Sequence, residues 1–295
     1  NDDVFFDKKN NLVISVDTYN EGNHFINFKN PTFVMKKIIR SSISDLICKG
    51  VNPVYYFISA SGNKKSFSKD NLLLIKKSLI QEQAKYKISL SGGDTVFSKK
   101  LSFTITSVGF SKSIIYRNSA KLNDDIYISG SLGDSYIGLL VLKKKIKLNK
   151  KLNKYFINKY YLPNIQFKLI EKLKKFANTS IDISDGLFAD MDKMINNQKL
   201  SYKIKINNIP ISNNFKKLIN IKKLTLIKYI SKGDDYQILF TASKNKRGII
   251  QKYSKKIGVR ITKIGTIQKY AQKSLILDHN NMEIMVKNKG YLHKF

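Results

Sequence analysis

Cysteine occurs once in the 295 residues, as Cys48, and histidine three times, as His24, His279 and His293. A single thiol excludes an internal disulfide and fits a reducing compartment. The four side chains are scattered through the chain, without the paired spacings of a zinc site. Arginine is nearly as scarce: Arg40, Arg117, Arg247 and Arg260 stand beside 50 lysines in a chain of formal net charge +33. Base readout and bidentate phosphate recognition favour arginine, so this lysine excess predicts salt-sensitive attraction to polyanions rather than a specific nucleic-acid interface. No apolar run approaches the roughly 20 residues of a membrane span. No glycine loop ending in Lys-Ser or Lys-Thr occurs, nor a kinase catalytic-loop signature or a nucleophile elbow, which excludes the commonest nucleotide folds and hydrolytic triads at motif level.

Glutamate supplies only 4 of the 21 acidic residues. The other 17 are aspartates, many beside Gly, Ser or another Asp: Asp2-Asp3, Asp17, Asp45, Asp94, Asp182 with Asp185, and Asp234-Asp235. Short carboxylates at loops and strand ends suit a hard cation such as Mg²⁺, which takes one or two carboxylates and completes its shell with water and substrate phosphates. Any one Asp-Gly or Asp-Ser pair is equally a turn signal, and Asp124, Asp125 and Asp134 are read as turn residues.

Length and 42% hydrophobic content allow two medium cores. Alternation predicts a strand over residues 12–17 that delivers Asp17 at its tip, and another over 101–110. Apolar spacing after Pro31 predicts a helix over 31–49, with Asp45 near its end and Cys48 partly buried, and a second helix spans 71–87. Residues 91–95, SGGDT, are expected to break the chain as a glycine turn. Beyond Arg117 the pattern restarts with a strand over 125–130 and a helix over 135–145. The lysine-rich stretch 143–159 reads as a solvated connection, Pro163 as the start of a helix to Lys175, and 181–187 as a short strand feeding a helix near Leu187. Further strands are expected near 202–207, 236–242, 261–267, 274–278 and 283–287, with a helix near 244–257. Strands and helices without regular alternation indicate two α+β domains, placed at 1–116 and 117–295.

Three motifs point to phosphate chemistry. In SGGDT two glycines let the backbone approach an anion beside Asp94. IDISDGL gathers Asp182, Ser184 and Asp185 at a helix N-terminus, where a phosphate is also favoured. GDDY, residues 233–236, repeats the arrangement before a strand.

Taken in order, SVDTYNEGNHF (15–25), SDLICKGVNP (44–53), SGGDT (91–95), the arginine of IIYRNSAKLNDDIYISGSLGDS (114–135), IDISDGL (181–187), KGDDYQILFT (232–241) and KGY (289–291) resemble the bacterial thiamine-monophosphate kinase family along essentially the whole chain. The pieces are shared singly with aminoimidazole ribonucleotide synthetase and selenophosphate synthetase. The resemblance implies a cytoplasmic homodimer whose N-terminal domains form a shared β-barrel, catalysing ATP-dependent phosphorylation of thiamine monophosphate by in-line transfer with several Mg²⁺ ions. Carried over by position, it implies that Asp3, Ser15, Val16 through its backbone, Asp17, Asp45, Asp94, Asp182 and Asp185 hold metal. Gly93, Asp94, Arg117 and Ser184 would contact ATP, His24, Asp234 and Tyr291 would hold the acceptor, and Asp17, Asp94 and Arg117 would carry catalysis. The family pattern is broken at Asn1, Ser42, Lys232 and Gln237. Another ATP-dependent enzyme of the same superfamily, or a basic nucleic-acid-binding protein, is the alternative.

Overall fold

The structure is a computed structural model describing residues 2–270 and 273–291; Asn1 and His293 lie outside the described residues. The chain separates into two compact units, Asn1–Ile47 with Val51–Ile114, and Cys48–Gly50 with Ile115–Phe295.

In the first unit the elements run β1 (Phe5–Asp7), β2 (Leu12–Asn20), α1 (Pro31–Cys48), β3 (Pro53–Gly62), α2 (Lys69–Tyr86), β4 (Ser89–Phe97) and β5 (Ser102–Phe110). They build a five-stranded open sheet in the order β1-β2-β5-β3-β4. In β2, Val13, Ser15 and Tyr19 are buried while Val16 and Thr18 are exposed, the period-two signature of a sheet covered on one face. The apolar stripe of α1, including Val34, Ile38, Ile39 and Leu46, is buried. Arg40 of α1 pairs Glu82 of α2 through two hydrogen bonds of 2.8 and 2.9 Å, satisfying both buried charges at once. Ser68 caps α2 by accepting from the Asn71 N–H, and Lys87 closes it in a left-handed conformation.

SGGDT is not the turn that its glycines suggest. It lies inside β4, an edge strand exposed along its whole length and paired in parallel with β3. Close approach explains the glycines: a Cβ on Gly93 would stand 1.9 Å from the Ile58 carbonyl oxygen. On this strand Leu90, Val96 and Phe97 are exposed, and in α2 so are Leu72, Leu73, Leu74 and Ile80.

The second unit contains β6 (Asp125–Ser129), α3 (Asp134–Leu142), α4 (Lys150–Tyr161), α5 (Ile170–Leu173), β7 (Thr179–Asp182), α6 (Leu187–Met194), β8 (Leu200–Lys205), α7 (Asn213–Lys222), α8 (Leu226–Ile230), β9 (Ile238–Ala242), α9 (Arg247–Ile257), β10 (Ile261–Lys269) and β11 (Leu275–Leu277). Its six-stranded sheet has the order β11-β8-β10-β6-β9-β7. The expected connection at 143–159 is instead largely helix. Asn149 caps α4 by accepting from the Leu152 N–H, and the helix buries Phe156, Tyr160 and Tyr161 among lysines that stay in solvent. The helix expected to reach Lys175 shrinks to a 3-10 turn and one α turn. The strand expected at 283–287 leaves only a bridge between Leu277 and Glu283. No described helix is long and apolar enough to cross a membrane.

Candidate active site

In the first unit, α1 and β2 are joined through an acid of the helix. The Ser15 hydroxyl donates to Asp45 Oδ2 at 2.5 Å, tying strand to helix. Two residues along β2, Asp17 is half-buried. Burial pushes its carboxyl up to about 6; the Tyr19 hydroxyl, donating to Oδ2 at 3.1 Å, pulls the other way, and the charge of Asp3 adds to the rise. A carboxyl raised by burial beside a second acid is a donor whose charge a divalent cation would relieve. Asp94 stands apart. Register runs from Asp17 to Ile105 of β5, to Ile58 of β3 and to Gly93 of β4, which puts Asp94 three strands from Asp17, about 14 Å along the sheet. Among the described residues no three His, Cys, Asp or Glu side chains converge as a ready cage. Oxygen donors in ones and twos are what Mg²⁺ carried by a polyphosphate requires.

His24 follows β2. Its Nδ1 accepts from the Asn20 N–H at 3.0 Å, and its ring packs edge-on to Tyr19. That assignment puts the proton of the neutral ring on Nε2.

In the second unit three distant motifs meet. Pairing of Ile128 with Leu239 and of Asp182 with Ile238 sets the ends of β6 and β7 and the start of β9 at one end of the sheet. There the Asp234 N–H donates to the Ser184 carbonyl at 2.8 Å and the Tyr236 N–H to the Ile183 carbonyl at 2.9 Å. The Tyr291 N–H donates to the Asp185 carbonyl at 2.9 Å. Asp182, Ser184, Asp185, Asp234 and Tyr291 therefore belong to one backbone-stitched assembly. Gly233, Asp234 and Tyr236 all have positive φ, at 68°, 62° and 49°. Glycine and aspartate tolerate that region, whereas at tyrosine it marks strain held by the surrounding bonds. Lys232 precedes this run, and Arg117 is half-buried in the segment before β6.

Sequence reasoning missed the supports beneath these loops. Asp190 Oδ2 accepts from the N–H groups of Asp185 and Gly186, both at 3.0 Å, capping α6 where Gly186 has no side chain to do so. An acid in the first helical turn was the available signal. Asp235, adjacent to Asp234, does different work: its Oδ2 accepts from the Gly133 N–H at 2.8 Å at the start of α3. Burial pushes this carboxyl well above the usual range.

The three acids read as turn residues each hold structure. Asp124 closes a turn, its N–H donating to the Lys121 carbonyl, and its carboxylate accepts from Asn178 and Thr241. Asp125 opens β6 and pairs with Arg247 at 2.5 Å and Lys263 at 2.6 Å. Asp134 lies in the first turn of α3 and accepts from Tyr155 and Ser212. Cys48, expected to be partly buried, is fully so.

With this geometry in hand, the likenesses to known proteins are specific. Residues 1–111 match the family described as AIR synthase related protein, N-terminal domain. The chain is 36% identical over 295 residues to the thiamine-monophosphate kinase of Buchnera aphidicola subsp. Schizaphis graminum, covering 97% of this chain and 88% of that one. It is 35% identical to the enzyme of the same name from Buchnera aphidicola subsp. Acyrthosiphon pisum, at the same coverage. The solved structure of AaThiL complexed with AMPPCP and TMP superposes with a TM-score of 0.86 at 25% identity, over 99% of this chain and 91% of that one. Identity above 30% over 97% of the chain, with the quoted motifs in their order, establishes that the chain belongs to the thiamine-monophosphate kinase family.

Proposed function

We propose that this chain transfers the γ-phosphoryl group of ATP to thiamine monophosphate, giving thiamine diphosphate. The observation that carries the reading is the stitched assembly of 181–187, 233–236 and 289–291, which joins segments remote in sequence whose residues the family resemblance assigns to the acceptor and to phosphate. The relatives' shared name and the AMPPCP and TMP bound by AaThiL support it.

The acceptor is itself a phosphate monoester, whose second pKa near 6 leaves it mostly dianionic at neutral pH. No general base is then needed. The barrier is repulsion between two polyanions, so the protein contributes alignment for in-line attack and neutralisation of charge. Mg²⁺, when bound, supplies charge stabilisation at the transferring and bridging oxygens. Several Mg²⁺ ions are proposed: in the first unit Asp3, Ser15, Val16 through its backbone, Asp17 and Asp45 would hold metal, Asp94 would do so separately, and in the second unit Asp182 and Asp185 would. Gly93 and Asp94, Ser184 and Arg117 would contact ATP, with the Arg117 guanidinium pairing with phosphate oxygens. His24, Asp234 and Tyr291 would orient the acceptor.

The first unit would be the ATP- and metal-binding half and would dimerise, its open sheet closing with a second copy into a barrel. The unpaired β4 edge and its exposed Leu90, Val96 and Phe97 support that arrangement. A cytoplasmic setting fits an enzyme that uses ATP and carries one reduced thiol.

The direct test incubates the full chain with ATP, Mg²⁺ and thiamine monophosphate and follows thiamine diphosphate by chromatography. Product that requires all three components is expected; none from folded, dimeric protein would overturn the reading.

A further inference from the structure

Lys193, in the last turn of α6, reaches back across two acids. Its ammonium is ion-paired with Asp185 Oδ2 and lies 3.4 Å from Asp190 Oδ1. Asp190 is completely buried, and its other oxygen is committed to the N–H groups of Asp185 and Gly186. The lysine side chain is 43% exposed and that of Asp185 18%. Helix geometry makes the reach possible, because residues three apart lie on one face and Lys193 follows Asp190 by three. One ammonium thus serves both carboxylates and holds the 182–186 loop against the helix that follows it.

The same contact limits what else Asp185 can do. A hard divalent ion needs a carboxylate oxygen at about 2.1 Å, whereas Lys193 already occupies Oδ2 of Asp185 and presents a like charge to any arriving cation. We infer that Lys193 is a built-in competitor for the cation position at Asp185, so that a divalent ion gains Oδ2 only by displacing the ammonium. The charge at the loop is then partly offset and the loop is tethered to α6 before metal binds, at the expense of divalent affinity. Because the side chain is partly exposed and flexible, it can swing into solvent when displaced. This rests on the reading above, in which Asp185 is a metal ligand.

The test titrates full-length protein with Mn²⁺ and reads free Mn²⁺ by its paramagnetic resonance signal. Lys193→Gln is expected to tighten the weakest Mn²⁺ site by at least about tenfold, Lys193→Arg to stay at the wild-type isotherm, and Asp185→Asn placed on Lys193→Gln to abolish the gain. Thermal unfolding without metal should show Lys193→Gln less stable, with Mn²⁺ restoring it. An unchanged isotherm for Lys193→Gln overturns the inference. A separate arm keeps the two readings distinct: Asp185→Asn alone is titrated with Mn²⁺ and a non-hydrolysable ATP analogue. If that isotherm equals wild type, Asp185 holds no metal and both readings fall; if it weakens while Lys193→Gln is silent, only the competition is lost.

Discussion

The backbone N–H of Asp234 donates to the carbonyl of Ser184 at 2.8 Å, joining two motifs 50 residues apart in sequence. The residue between Lys232 and Asp234 makes this contact possible. Gly233 has φ of +68°, and a Cβ there would stand 1.9 Å from the Ser184 carbonyl oxygen. Gly233→Ala should therefore lower stability by about 1–3 kcal/mol through strain and clash and cut kcat/KM more than its Tm loss alone explains. Urea unfolding beside kinetics separates the two effects.

Asp17→Asn should reduce turnover by at least about a hundredfold while leaving the circular dichroism spectrum close to wild type and Tm at or above it. Its carboxyl accepts from Tyr19 and is raised by burial, so the uncharged amide removes a charge that the fold holds at a cost near neutral pH. Near-normal turnover would remove Asp17 from the metal set.

Asp235 gives a pH signature. Its carboxyl is held well above the ordinary value, so the folded state binds a proton that the unfolded state releases. That contribution to stability is complete below the unfolded pKa and is lost as pH rises through the folded one. Asp235→Asn, which cannot ionise, should therefore gain stability relative to wild type as pH rises above the ordinary carboxylate range, measured by urea midpoints. A gap that is flat or shrinks with pH would show that Asp235 titrates normally.

Asp125 should behave oppositely. Burial raises its carboxyl, but Arg247 and Lys263 outweigh it and hold the group below its usual range. The stabilisation is present above the unfolded value of 3.8 and is lost as pH falls through the folded pKa. Asp125→Asn should cost stability at pH 7 and lose most of that difference under strongly acidic conditions, read by thermal unfolding at both ends.

Phe97, 77% exposed on the β4 edge, tests the proposed dimer. Phe97→Asp should shift sedimentation from dimer toward monomer and weaken ATP binding with it. An unchanged dimer would place the interface elsewhere.

Local pattern carried much of the fold. Alternation in residues 12–17 and 101–110 and the apolar stripe after Pro31 each became β2, β5 and α1 with small shifts at the ends, because period two and period 3.6 report directly on which face is buried. Where partners decided, the pattern misled. Gly92-Gly93 read as a break, yet the pair lies within a strand because β3 packs against it too closely for a side chain. Lysines at 150–159 hid α4, since their stems leave room for Phe156 and Tyr160 to be buried on the other face.

The candidate site divides in the same way. Residue type and order alone determined the family and the two-part α+β character, and they marked aspartates, glycines, Arg117 and His24 as the positions proposed for the chemistry, because phosphate transfer constrains which atoms must be present. Only the tertiary structure decided which of them meet. Strand pairing set Asp94 three strands from Asp17, hydrogen bonds joined Ser184 to Asp234 and Asp185 to Tyr291, and packing divided the adjacent Asp234 and Asp235 between the site and the α3 terminus. Those outcomes depend on register and on contacts between distant segments, which neither periodicity nor a motif encodes.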